Sequence, residues 1–205
     1  MAEFTKNFPQ FSDSEIIQQN QHVKKLKEWI NDNEFFSKMK KGYSAKKDGF
    51  DCKKWHSKCD KGKTLIIIKT KDNYIFGGFT QVGWTNDKSK WREKDREDDY
   101  GWIIDSKAFI FSLRNDKGDR IPEKLTIKQG QEDYAIYYWY SYNGPNFGGG
   151  IDGDISLNSK FQGWSNFGNS YNLPNGIEYE SDEAKSYLAG SYNKWIIDEL
   201  ETYFI

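Results

Sequence analysis

The chain has 205 residues and a formal net charge of −1, enough to bury a hydrophobic core without staples and too balanced to select nucleic acid or an acidic membrane by bulk charge. Eight Trp, 13 Tyr and 14 Phe exclude a disordered chain, which is poor in aromatics. Charge is uneven along the chain: residues 38–63 hold ten Lys against Asp48, Asp51 and Asp60, and residues 146–205 hold nine Asp or Glu against three Lys. These read as a solvated basic face and a solvated acidic face, either of which could dock a charged protein partner. The polar amino terminus lacks a signal-type apolar run, no stretch approaches the roughly 20 apolar residues of a membrane span, and no Asn-x-Ser/Thr sequon occurs. With only Cys52 and Cys59 as cysteines, a reducing, cytoplasmic setting is expected.

In chain order, Ser12 or Ser14 can cap a helix with Glu15 in its first turn. Ile16, Val23, Leu26 and Ile30 recur near helical spacing, so the pattern predicts an amphipathic helix over 14–31 with His22 exposed. Residues 37–63, Lys-rich with Gly42, Gly49 and Gly62, read as loop and short turns. TLIIIKT at 64–70 reads as a buried strand, and YIFGGF at 74–79 as its return strand after a tight turn. Gly77 and Gly78 inside it imply a bulge, or a backbone on which something packs closely. The charged stretch 86–99 reads as a solvated excursion. AFIFSL at 108–113, LTIK at 125–128, YAIYYWYS at 134–141 and IDGDISL at 151–157 follow as short strands, and WIIDELETYFI at 195–205 as a long one. Short strands separated by turns predict a mainly β sandwich or barrel rather than a βαβ fold.

GPNFGGG at 144–150 is the most unusual segment. A glycine-rich loop can cradle phosphate through backbone N–H groups, but a phosphate loop continues with Lys and Ser or Thr, whereas Ile151-Asp152 follows here. The glycines therefore read as structural, with positive φ expected at Gly149. Asp152 and Asp154 flank Gly153 and offer oxygens to calcium without an EF-hand pattern; a turn-stabilising pair is the plainer reading. Cys52, His56 and Cys59 are zinc-ligand types, but their C-x3-H-x2-C spacing fits no common structural finger, and buried thiols are the alternative. A Ser-His-Asp triad would have to use His56, and no G-x-S-x-G elbow accompanies it.

Glu199 and Glu201 are the other candidates. On a regular strand they share a face with Trp195, Ile197, Tyr203 and Ile205, roughly 7 Å apart, which suits a general acid/base pair. An ion pair with Lys or Arg, or a bulge that turns them away, would equally relieve their burial. The aromatic strand YAIYYWYS could present coplanar Tyr and Trp rings to a sugar.

The ordered segments GYSAKKDGF, WHSKCDKGKTLIII, YIFGGFT with Trp84, AFIFSL, GPNFGGG-I-D, YLAGS and W-x-I-x-E-L-E-x-Y-x-I together resemble the TLDc domain of the oxidation-resistance family. The resemblance covers about Gly42 to Ile205 and extends to the preceding helix, with 1–41 as a helical lead-in packed on the domain. It implies an α+β fold built on a two-sheet antiparallel β-sandwich with peripheral helices. It also implies a non-catalytic regulatory module without a cofactor, linked to oxidative-stress protection and to binding of the vacuolar-type proton pump. Family motif positions fall on Gly77, Gly78, Trp84, Gly144, Pro145, Phe147, Gly148, Gly149, Gly150, Asp152, Gly190, Glu199 and Glu201. The family's Phe before the His matching His56 is Trp55 here. Two rival expectations remain: an enzyme or peroxide scavenger centred on Glu199/Glu201 or on Cys52/His56/Cys59, and a carbohydrate-binding sandwich.

Overall fold

A computed structural model describes residues 8–98, 100–139, 142–149 and 153–205. A 3-10 turn at Pro9–Phe11 precedes helices α1 (Asn20–Ile30) and α2 (Asn33–Lys38). Strand β1 (Lys40–Ser44) and helices α3 (Ala45–Asp48) and α4 (Cys52–Cys59) lead into the hairpin β2 (Thr64–Thr70) and β3 (Ile75–Thr80). Strands β4 (Gly101–Ile103), β5 (Phe109–Arg114), β6 (Glu123–Thr126), β7 (Ile136–Tyr138), β8 (Asn146–Phe147), β9 (Ser156–Leu157) and β10 (Gln162–Trp164) follow. Helix α5 (Asp182–Ser186) precedes the long last strand β11 (Asn193–Phe204).

Among the described residues these strands form two antiparallel sheets. The large one has the order β6-β5-β3-β2-β11-β10-β9, with β1 also paired to β11, and the small one has the order β4-β7-β8. The fold is mainly β and sandwich-like. Side chains on β2 alternate between two cores: Ile66 and Ile68 face the small sheet, while Leu65 and Ile67 face the N-terminal helices. Burial of both faces explains why the run Leu65–Ile68 is apolar throughout instead of alternating. The α1 stripe Val23, Leu26 and Ile30 joins Phe35, Phe79, Phe109 and Phe111 in the second core, and Phe35 meets Phe79 edge to face at 5.2 Å. Among the described residues, no helix is long and apolar enough to cross a membrane.

Several local expectations change. The first long helix begins at Asn20, not at 14. Ser14 Oγ accepts the N–H groups of Ile16 and Ile17 at 3.2 and 2.8 Å and thereby closes a turn, the usual way Ser competes with helix formation. His22, expected at the surface, is 3% exposed. The stretch 37–63 is ordered structure. Asp51 caps α4 by accepting Lys54 N–H at 2.9 Å, and Cys52, Trp55, His56 and Cys59 form its buried stripe. The charged excursion is pinned by buried Trp91 and by the Arg92–Asp95 ion pair at 2.8 Å. Of the described residues in YAIYYWYS, Ile136–Tyr138 pairs as strand, after a 3-10 turn at Glu132–Tyr134.

Candidate functional site

The two glycine clusters touch each other. Gly78 faces the small sheet, and a Cβ there would collide with the Phe147 ring of GPNFGGG. Gly77 faces the other way, against the Ile66 carbonyl and the Phe111 ring. The β2–β3 register runs unbroken through both glycines, so close packing, not a bulge, explains them. Phe147 is edge-on to Trp84 at 5.2 Å, and Trp84 to Trp55 at 5.2 Å. The indole N–H of Trp84 donates to Tyr137 O at 3.1 Å and that of Trp55 to Thr202 Oγ1 at 2.9 Å. This column ties α4 and the end of β3 to β8.

Within the second cluster, Gly144 N–H donates to Leu157 O at 2.8 Å, and Pro145 is buried. Positive φ lies at Gly148 (+88°) rather than at Gly149. Gly149 is held instead by crowding, since its Cβ would lie 2.7 Å from Tyr134 Cδ1. Gly190 has φ +76° beneath the Tyr74 ring. Gly150 and Asp152 lie outside the described residues. A side chain on Gly148 would strike Asp154. Asp154 is buried and accepts Gly168, Ser170 and Tyr171 N–H at 2.9, 2.8 and 3.2 Å. Burial lifts its carboxyl to about 7 against these three donors. Its oxygens therefore organise the 168–171 loop.

Glu199 and Glu201 have no solvent exposure. The pairing register of β11 shifts between Ile197 and Glu199, which reverses side-chain parity. Trp195 and Ile197 thus line the inter-sheet core, as do Leu200 and Phe204, while Tyr203 faces the N-terminal helices. The regular-strand expectation of one shared face fails at this bulge. Glu201 accepts Ser14 Oγ–H at 2.5 Å, Glu15 N–H at 2.8 Å and Tyr203 O–H at 2.9 Å, with Lys41 Nζ at 3.3 Å. Glu199 accepts Ala45 N–H at 2.7 Å, Lys46 N–H at 3.3 Å and Ser44 O–H at 3.0 Å. It thereby closes the start of α3, where backbone N–H groups lack partners. Burial raises its carboxyl despite these bonds.

Cys52, His56 and Cys59 share one buried face of α4. Both His56 ring nitrogens are engaged, Nδ1 with Asp60 Oδ1 at 2.6 Å and Nε2 with Asn143 O at 3.0 Å. Burial pushes both thiols up, away from the reactive thiolate. Among the described residues, no group of three His, Cys, Asp or Glu side chains is placed to hold a metal ion.

The outward face of the small sheet differs from all of these. Trp102 and Tyr137 are cross-strand partners with ring centroids 4.9 Å apart. Trp139 continues the row at 6.4 Å from Tyr137, and Tyr100 and Tyr142 flank it at 5.0 and 4.5 Å. Tyr100 is 39% and Tyr142 59% exposed. A groove of about 460 Å³ runs along Trp102, Tyr137 and Trp139, with Asn143, Asn146 and Ser156 on its other wall. The buried indole nitrogen of Trp102 has no acceptor among the described residues. Sequence reading found this strand but not its partner Trp102, because cross-strand pairing joins residues 35 positions apart.

A family model of the TLDc domain matches residues 11–205, and comparison with curated proteins returns no match. On the strength of that match over nearly its whole length, the chain belongs to the TLDc-domain family.

Proposed function

We propose that this chain is a non-catalytic regulatory module that docks on a protein complex through the outward face of its small sheet, with the vacuolar-type proton pump as the first candidate. The observation that carries this reading is the aromatic row Tyr100–Trp139–Tyr142 with Trp102 and Tyr137. Aromatic side chains give large contact area at little entropic cost and dominate binding hot spots. The groups that could have carried chemistry are committed elsewhere: Glu199, Glu201 and Asp154 to backbone and hydroxyl donors, and the two thiols to burial. The pump itself is suggested by family membership alone. Any contribution to oxidative-stress protection then runs through the partner, not through Cys52 or Cys59. Affinity capture from native cells followed by an ATPase assay tests the proposal. Retention of pump subunits with altered hydrolysis is expected; no retained subunit and unchanged hydrolysis would refute it.

A second reading has its own observation. The groove pairs Trp102, Tyr137 and Trp139 with the neutral Asn143, Asn146 and Ser156, a combination that suits sugar rings and hydroxyls. Saturable quenching of Trp fluorescence by one member of a glycan panel would support it, and a flat response across the panel would remove it.

A further inference from the structure

A second, smaller cavity lies at the seam between the N-terminal segment and the end of the large sheet. Its volume is about 170 Å³, and Glu15, Gln18, Gln19 and His22 line it on one side. Lys69, Asn73, Ile75 and Arg114 line the other. Two buried nitrogens here have no hydrogen-bond partner among the described residues: His22 Nδ1 and Arg114 Nε. His22 is 3% exposed. Buried polar atoms are paired in the great majority of cases, so two orphans on side chains that line one cavity require an explanation. No such pair of unpartnered nitrogens lines the aromatic groove.

The charges around the cavity are few. Lys69 and Arg114 are cationic and Glu15 is anionic. Glu15 is also held by Lys46 at 3.2 Å, and Lys69 lies 3.4 Å from Asp198. Burial, and after it the Arg114 charge, push the His22 imidazole down to about 4, so near neutral pH this ring adds a polar nitrogen but no charge. The lining therefore carries one net positive charge. A guanidinium edge is shaped to hold the two oxygens of a carboxylate, and the cavity is well below the size of sites that take drug-sized ligands.

We propose that this seam is a binding site for one small carboxylate anion, held by Arg114 Nε–H and by His22 Nδ1–H, the neutral tautomer that donates from this nitrogen, with Lys69 as the nearby charge. Occupancy ties the N-terminal segment, through His22, to the ends of β2 and β5, and so couples the mobility of residues 14–24 to the ligand. The proposal is independent of the docking face on the small sheet.

The test is nitrogen-15 NMR of the His22 ring in the intact chain during titration with acetate. Sodium chloride of matched ionic strength is the control, and inorganic phosphate is the comparison. A saturable shift of the His22 ring signals with acetate, absent with chloride and weaker with phosphate, is expected. Arg114→Gln should weaken acetate binding at least about tenfold, as loss of a charge-assisted pair does. Amide exchange of residues 14–24 in the wild-type chain should slow as acetate saturates, by mass action on the closed state. No saturable shift would overturn the proposal. So would tighter binding of phosphate than of acetate, or unchanged acetate binding in a folded Arg114→Gln chain.

Discussion

Strand β11 and the outward face of the small sheet hold polar groups in opposite ways. On β11, Glu199 and Glu201 have no exposure, and each accepts several donors brought in from distant parts of the chain. Around the small sheet, Tyr100 and Tyr142 are exposed on either side of Trp139, and the Trp102 nitrogen has no acceptor among the described residues. The first region spends its polar groups on architecture: Glu201 ties down the segment at Ser14, and Glu199 closes α3. The second leaves binding capacity unspent. A residue type that could do chemistry is thus a poor guide to function unless its donors and acceptors are counted.

The contrast can be broken first at Glu201. Glu201→Ala leaves the Ser14 and Tyr203 hydroxyls and Glu15 N–H without their acceptor, while Lys41 keeps Asp13, and should cost about 1–3 kcal/mol for each buried donor left unpaired. Urea unfolding measures this, and a loss no larger than a surface substitution gives would contradict the architectural role. Gly78→Val places a side chain in collision with the Phe147 ring and should cost about 1–3 kcal/mol through overpacking. Adding Phe147→Leu should recover part of that loss; strict additivity in the double-mutant cycle would deny that the two glycine clusters meet.

Asp154 tests the same architecture through pH. Its folded-state value of about 7 lies above the ordinary 3.8, so folding favours the protonated form. That contribution is complete below the unfolded value and is lost as pH rises through the folded one. Asp154→Asn has no such proton, so its stability relative to wild type should improve between pH 4 and 7. Parallel stability profiles across that range would contradict a carboxyl whose burial outweighs its three N–H donors. The smallest effect belongs to the other region. Tyr142→Ser should change stability by no more than about 0.5 kcal/mol, and a larger loss in thermal or urea unfolding would make the aromatic row part of the core.

Much of the framework was readable from local pattern. The β-branched run 64–70, the paired glycines and the long final strand each carry their signal within a few residues. What escaped depends on contacts across the chain. The bulge after Ile197 reverses side-chain parity without any Gly or Pro to mark it. Ser14 looks like a helix cap until Glu201, 187 positions away, takes its hydroxyl. His22 sits among polar neighbours in sequence but is covered in the fold. The stripe Cys52-Trp55-His56-Cys59 did have helical spacing, and the density of Lys around it masked the pattern. At the candidate site, Trp139 was visible and Trp102 was not, because only the β4–β7 pairing brings Trp102 into the row.

In the proposed docking, the partner is held by the aromatic row and not by the buried carboxylates. The most direct test is affinity capture of pump subunits from native cells with the wild-type chain and with a Trp139→Ala/Tyr142→Ala chain, each shown to be folded by thermal unfolding. The account predicts that the wild-type chain retains the subunits and that the double variant loses at least about 2 kcal/mol of binding, a thirtyfold weakening or more. Equal retention by both folded chains would contradict it.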